Sequence, residues 1–175
     1  MIPVKKMSQL ELAAYVQTYL LEYGIDVILS GGSAVSFYSQ NQYVTKDIGL
    51  ISNIYIKRST LVENLAEIGF VEIGRYFQHQ DSPFLIEFPT GPLAVGEEPV
   101  KQINEYSLAS GILRIISPTD CVKDRLLAFF HWNDRQSLSQ ALLIAQSNKI
   151  GSLEIERWAI VEDNQDKYIH FTRLL

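Results

Sequence analysis

Residues 27–51, VILSGGSAVSFYSQNQYVTKDIGLI, constrain the fold more than any other part of the chain. Val27-Ile28-Leu29 is a short, continuously apolar run of the kind that forms a strand buried on both faces. It leads directly into Gly31-Gly32-Ser33, then into a short helical segment, then into a second strand over residues 46–52. Side chains alternate along a strand, so Asp47, Gly49 and Ile51 share one face while Ile48 and Leu50 take the other. Strand, glycine turn, helix and acidic strand thus follow one another within 25 residues, and a compact α/β unit is the packing this order allows.

At 175 residues, the chain is long enough for one well-buried domain and too short for two full ones. We expect a single unit over residues 1–175, with a sheet-containing core over 1–116 and a helical part over 117–175. The charge of −5 argues against unspecific adhesion to nucleic acid, although a local basic patch could still grip a phosphate-rich partner. Cys121 is the only cysteine, so no internal disulfide and no Cys-rich zinc site can form. Met1 to Met7 holds two lysines but no apolar run follows, and no stretch approaches the ~20 apolar residues of a membrane span. The expected setting is the cytoplasm, with no membrane partner.

Ser8-Gln9-Leu10-Glu11 is a capping box, and the helix it opens carries Leu10, Ala13, Ala14, Leu20 and Leu21 on one face before Gly24. A second box, Thr60-Leu61-Val62-Glu63, opens a helix that stops at Gly69. Strands are expected over 70–76, 84–88 and 111–116, with a Pro/Gly-rich surface loop over 89–99. Ser117-Pro118-Thr119-Asp120 starts a helix running to about Trp132, because Pro suits the first helical position and an acid the first turn. After a break at Asn133-Asp134, a second helix completes a hairpin, and Gly151-Ser152 starts another helix containing Trp158. The sum is an α/β (α+β) fold: a mixed sheet flanked by helices, followed by a helical C-terminal part.

The chemistry centres on three places. Gly31 and Gly32 let backbone pass close to a phosphate, and successive N–H groups at a helix start form an anion site. Ser33 either adds a hydroxyl donor there or caps the helix, and a plain tight turn is the simpler alternative. Asp47 is either a metal-binding carboxylate or a strand-end acid capping a loop. Two acids at i and i+2 would hold magnesium together with substrate phosphates, but Gly49 stands where the second would be. Glu87 interrupts the apolar strand Phe84-Leu85-Ile86-Glu87-Phe88, which costs desolvation unless something pairs with it. A metal would explain that cost, and so would an ion pair with Lys46, Arg75 or Arg114.

Gly31-Gly32-Ser33, then Thr45 and Asp47, then Glu87 on a later strand resemble the nucleotidyltransferase superfamily. Residues 117–125 and 131–135 are also similar to the helical part of its small bacterial members, related to abortive-infection toxin-like proteins. The resemblance covers most of residues 8–148. It implies a nucleotidyltransferase fold that moves a nucleoside monophosphate from an NTP to an acceptor such as RNA or protein, with magnesium or manganese. Asp47 and Glu87 would be its catalytic and metal-binding residues, and Gly31, Gly32 and Ser33 its phosphate turn. The family pattern carries an acid where Gly49 stands, so the alternative is an inactive nucleotide-binding or protein-interaction module of the toxin-antitoxin type, with a cognate antitoxin as partner.

Lys123 and Arg125, in the first turns of the helix after Pro118, either bind phosphate or belong to a solvated helix face. Cys121 lies near that helix N-terminus, where a thiol pKa can fall, but no His/Asn set marks it as a nucleophile. His79, His131 and His170 are too scattered for a zinc set. Phe37, Tyr38 and Tyr43 read as core. Three spatial expectations follow. Asp47 and Glu87 lie on adjacent strands of one sheet with their carboxylates on one face. The Gly31-Gly32-Ser33 turn forms one wall of the largest polar pocket, its backbone N–H groups pointing inward, and residues 119–136 form the other.

Overall fold

A computed structural model describes residues 2–175, and the Met1 end of the N-terminal reading lies outside them. Helix α1 (Gln9–Glu22) opens on the capping box: Glu11 N–H donates to Ser8 Oγ at 3.3 Å and Ser8 N–H to the Glu11 carboxylate at 2.8 Å. Its buried face holds Ala13, Ala14 and Leu20 of the expected stripe, joined by Leu12 and Val16, while Leu10 is only partly buried and Leu21 is half exposed. That face packs on strand β9 (Gly111–Ile116). Gly111 permits the contact, because a Cβ there would lie 2.3 Å from Thr18 Oγ1 and 2.8 Å from the Ala14 carbonyl.

The apolar run becomes β1 (Ile28–Ser30), and α2 (Gly31–Tyr38) starts without any intervening loop. Strand β2 (Asp47–Ile51) shows the alternation read from the sequence: Ile48 and Leu50 are fully buried, while Asp47, Gly49 and Ile51 are half-buried. Helix α3 (Arg58–Glu67) begins two residues before the Thr60 box, and Lys57 at its cap makes no side-chain capping bond.

Residues 70–76 do not form one strand. Gly74, at φ +60°, lies between β3 (Phe70–Ile73) and β4 (Tyr76–His79), and the chain reverses there. Strand β5 (Leu85–Glu87) follows, and the Pro/Gly-rich loop contains a small hairpin, β6 (Ala94–Val95) and β7 (Glu98–Pro99). Strand β8 (Ile103–Leu108) pairs with β9 as a further hairpin.

Seven strands make one mixed sheet in the order β3-β4-β5-β2-β1-β9-β8. β2 runs antiparallel to β1 and parallel to β5, so the acidic strand is central. The core gathers Leu29, Ile48, Leu50, Phe77, Ile86, Leu113 and Ile115 from these strands, all fully buried. Burying such side chains contributes roughly 1.5–3 kcal/mol each and fixes which face of β2 is left for chemistry.

The helical part is α4 (Pro118–Trp132), α5 (Arg135–Ser147), α6 (Ser152–Val161) and α7 (Gln165–Thr172). Ser117 Oγ accepts the Asp120 N–H at 3.1 Å, and Asn133 ends α4 in the left-handed region. Helices α4 and α5 pack on α2, where Asn148 Nδ2 donates to the Tyr38 carbonyl at 2.7 Å. The Tyr38 hydroxyl in turn donates to the Ile116 carbonyl at 2.8 Å. Sheet and helical part are thereby tied at α2. No helix among the described residues is long and apolar enough to cross a membrane.

Candidate functional site

The register places the acids. Gly49 pairs with Glu87 across β2 and β5, and Asp47 pairs with Leu85. Paired residues of neighbouring strands point to the same face, so Asp47, the bare Gly49 position and Glu87 form one patch. All three line a cavity of about 290 Å³. Gly31 and Gly32 make one wall, and Asp124 and Arg125 of α4 make another. The strand pairing is the one expected, but the cavity is smaller than neighbouring hollows of about 480 and 580 Å³, and only Asp124 and Arg125 of residues 119–136 line it.

Local chemistry explains the glycines. Gly31 has φ +66°, a conformation that L side chains rarely adopt. At Gly32 an added Cβ would come within 3.1 Å of Thr45 Cγ2, so a side chain there would crowd the helix start against the acidic strand. Ser30, the residue before α2, makes no side-chain capping bond and itself lines the cavity.

Ser33 is placed differently from the phosphate-donor expectation. It is fully buried, and its hydroxyl donates to the Asp47 main-chain carbonyl. The third residue of the turn therefore lashes α2 to β2 rather than facing the cavity. Gln9 Nε2 adds a bond to the Thr45 carbonyl at 2.9 Å, and the Asp47 N–H donates to Thr45 Oγ1 at 3.2 Å. With a further bond from Gln9 Nε2 to the Asp47 carbonyl at 3.4 Å, the backbone of Asp47 is held by Ser33, Thr45 and Gln9. Its carboxylate makes no hydrogen bond or ion pair among the described residues.

Glu87 has found a partner: Arg75, in the turn between β3 and β4, brings Nε to 3.4 Å from its carboxylate. Arg114 is engaged elsewhere, with Asp26 and, at 3.1 Å, with Glu105.

The two basic residues of α4 part company. Lys123 is nearly fully buried, with Nζ 2.6 Å from Glu154 Oε1 and 3.9 Å from Asp120, and it does not reach the cavity. Arg125 lines the cavity. The cause is helix geometry: residues two apart point roughly 200° away from each other, so 123 and 125 cannot share a face. Arg125 Nε lies 3.0 Å from Asp124. Burial disfavours its charge, but the Asp124 carboxylate more than offsets this and holds the pKa above the ordinary value.

Asp124 is a cavity residue that the sequence reading did not select, although its place beside Arg125 was a signal. Tyr43, read as core, also lines the cavity, whereas Tyr38 is buried. Cys121 is fully buried, and burial raises its pKa, which removes it as a nucleophile. Among the described residues no group of three or more His, Cys, Asp or Glu stands together as a metal cage.

No protein-family model matches the sequence, and no curated protein does. Solved structures share its fold. An antigenic nucleotidyltransferase-like protein from Paracoccidioides brasiliensis superposes with a TM-score of 0.58 at 14% identity, over 79% of this chain and 75% of its own. ANT(2'')-Ia, crystallised in complex with adenylyl-2''-tobramycin, gives 0.53 at 14% identity, over 97% and 100%. The solution structure of the same antibiotic-resistance factor gives 0.51 at 13% identity. The chain has a nucleotidyltransferase-like α/β fold.

Proposed function

We propose that the cavity between the Gly31-Gly32 turn and α4 binds a nucleoside triphosphate, and that the chain transfers the nucleoside monophosphate to a hydroxyl acceptor. The observation that carries this reading is the Asp47 carboxylate. It is half-buried and unpaired, and its backbone is fixed beside the start of α2 in a nucleotidyltransferase-like fold. In the reaction, the acceptor oxygen bonds to the α-phosphorus as its proton passes to solvent water. The bond from that phosphorus to the bridging oxygen breaks, and pyrophosphate departs with the electron pair.

The backbone of Gly31 and Gly32 would receive phosphate oxygens, and Arg125 would meet their charge from the opposite wall. Magnesium or manganese fits the donors present as an ion carried in with the nucleotide, because one or two carboxylates plus phosphates suffice. Asp47 and Glu87 would hold it, and it would neutralise charge on the phosphates. The resemblance offers RNA or protein among the acceptor classes, and a cognate antitoxin as a partner.

Gly49 favours a second reading, an inactive nucleotide-binding or protein-interaction module. Calorimetry with ATP, with and without magnesium, tests the shared part. Asp47→Asn should weaken magnesium-dependent binding by about tenfold to a hundredfold, the equivalent of losing one charged contact. Absence of any nucleotide binding by the unmodified chain would sink both nucleotide readings. Transfer of label from an NTP to a cell extract separates the enzyme from the inactive binder.

A further inference from the structure

Glu87 borders two spaces. On one side lies the nucleotide cavity. On the other lies an open hollow of about 580 Å³, bounded by Arg58 at the start of α3, by Gly74 and Arg75, and by Thr90 beyond β5. Through Arg58 and Thr90 this hollow adjoins another of about 480 Å³, whose walls include Ile54, Tyr55 and Ile56. The three spaces share walls: Glu87 and Pro89 border both the nucleotide cavity and the middle hollow, and Arg58 and Thr90 border both hollows, which together form an outer arm.

The outer arm has a definite chemistry. Among the described residues Glu87 is the one acid lining its middle section, beside Arg58, which Glu72 balances, and Arg75, which Glu87 itself balances. Arg58 is fixed: Nε meets Glu72 at 2.6 Å, Nη2 donates to the Arg75 carbonyl at 3.1 Å, and the guanidinium lies 4.4 Å from the Phe77 ring centre. Arg75 is 71% exposed, and its 3.4 Å contact with Glu87 is a surface pair worth only about 0–1 kcal/mol. An arriving oxyanion can take that guanidinium at little cost, with the planar fork suited to two oxygens. Farther out, Ile54 and Tyr55 stand 64% and 83% exposed, apolar surface that the fold itself does not cover.

We infer that the acceptor lies in this outer arm and is a small hydroxyl compound bearing one oxyanion group, a phosphate monoester or a carboxylate, beside an apolar ring. The oxyanion meets Arg58 and Arg75, the ring lies against Ile54 and Tyr55, and the hydroxyl points to Glu87. The inference rests on the nucleotide reading of the neighbouring cavity. A polycation offers no oxyanion to take the Arg75 guanidinium from Glu87.

The test is amide-resolved NMR on the full chain saturated with magnesium and a non-hydrolysable ATP analogue. Four probes are titrated: phenyl phosphate, 4-hydroxybenzoate, neutral 4-hydroxybenzamide and tobramycin. The anionic probes should shift the Gly74, Arg75 and Thr90 amides and bind about tenfold or more tighter than the other two. Their relative strength tells phosphate from carboxylate. Arg75→Glu should abolish the preference while the analogue's shifts at Gly31 and Gly32 persist, and Arg75 is exposed enough for the fold to be retained. Equal affinity whatever the charge, a preference that survives Arg75→Glu, or tighter tobramycin binding would each overturn the inference. If the anionic probes bind as expected and the ATP analogue does not bind at all, the outer site stands and the nucleotide reading falls.

Discussion

Replacing Gly49 with aspartate tests the site where the chain departs from the pattern it resembles. Gly49 is not in the left-handed region, and a Cβ built on it meets only the Ser30 carbonyl oxygen, at an ordinary 3.5 Å. Gly49→Asp therefore carries no steric penalty. Replacing a strand glycine even favours folding by about 0.4–1 kcal/mol through the unfolded chain. Electrostatics decide the sign. Glu87 is the cross-strand partner of Gly49, and adjacent strands lie about 4.8 Å apart.

A new carboxylate about 6 Å from an old one is repelled by about 3 kcal/mol at an effective dielectric of about 20. Arg75 offsets part of the Glu87 charge, and the backbone gain offsets a little more. We expect Gly49→Asp to lose about 1–3 kcal/mol of stability in chelator. Magnesium and nucleotide should return that loss, and metal-dependent nucleotide affinity should rise by about tenfold to a hundredfold. Urea unfolding in chelator and in magnesium, with calorimetry of nucleotide binding on both proteins, measures each quantity. Equal stability in the two conditions together with unchanged nucleotide affinity would refute the reasoning, because it would mean that the three positions do not share one charge environment.

Two further outcomes are expected. Ser33→Ala removes the buried hydroxyl that donates to the Asp47 carbonyl and should cost about 1–2 kcal/mol in chemical denaturation, since Gln9 at 3.4 Å is a poor substitute; no loss would mean the α2–β2 tether carries no weight. Glu154, bonded to Arg157 and to Lys123, has its pKa pushed down to about 2, so its contribution is present above the ordinary carboxylate range and is lost as pH falls toward about 2; urea midpoints of wild type and Glu154→Gln should converge over that window, and a constant gap would refute it.

Local signals were legible in the sequence where one segment decides the outcome. The Ser8 box, the Ser117-Pro118 helix start and the alternation of β2 all depend on neighbours within a few residues. Strand β8 escaped because only its end positions, Ile103 and Leu108, offer apolar contact while Glu105, Tyr106 and Ser107 are exposed along a sheet edge. Helix α7 escaped because QDKYIHFT has no capping side chain and buries only Tyr168 and Phe171. In the site, alternation put Asp47 and Gly49 on one face, but the pairing of Gly49 with Glu87 depends on a strand 38 positions away, reached past the β3–β4 hairpin. Three cations could have balanced Glu87, and only the fold selects Arg75. Lys123 was lost as a phosphate ligand to Glu154, 31 residues on, a contact that no local pattern announces.

The charges of the site explain why Gly49 and Arg75 belong in one account. Asp47, Glu87 and Asp124 bring three negative charges to the cavity, while Arg125 on its wall and Arg75 on Glu87 bring two positive ones, leaving −1. An aspartate at position 49 would make that −2, the balance a divalent cation meets. With glycine there, Arg75 already offsets Glu87, and Asp47 is the one carboxylate left without a partner. A cation that enters this site therefore competes with a guanidinium for Glu87 and finds only Asp47 free. If the outer arm takes an oxyanion as inferred, drawing Arg75 outward would release Glu87 toward the nucleotide side. Binding in the outer arm and metal binding in the cavity should then strengthen each other, since the gain each ligand confers on the other is reciprocal.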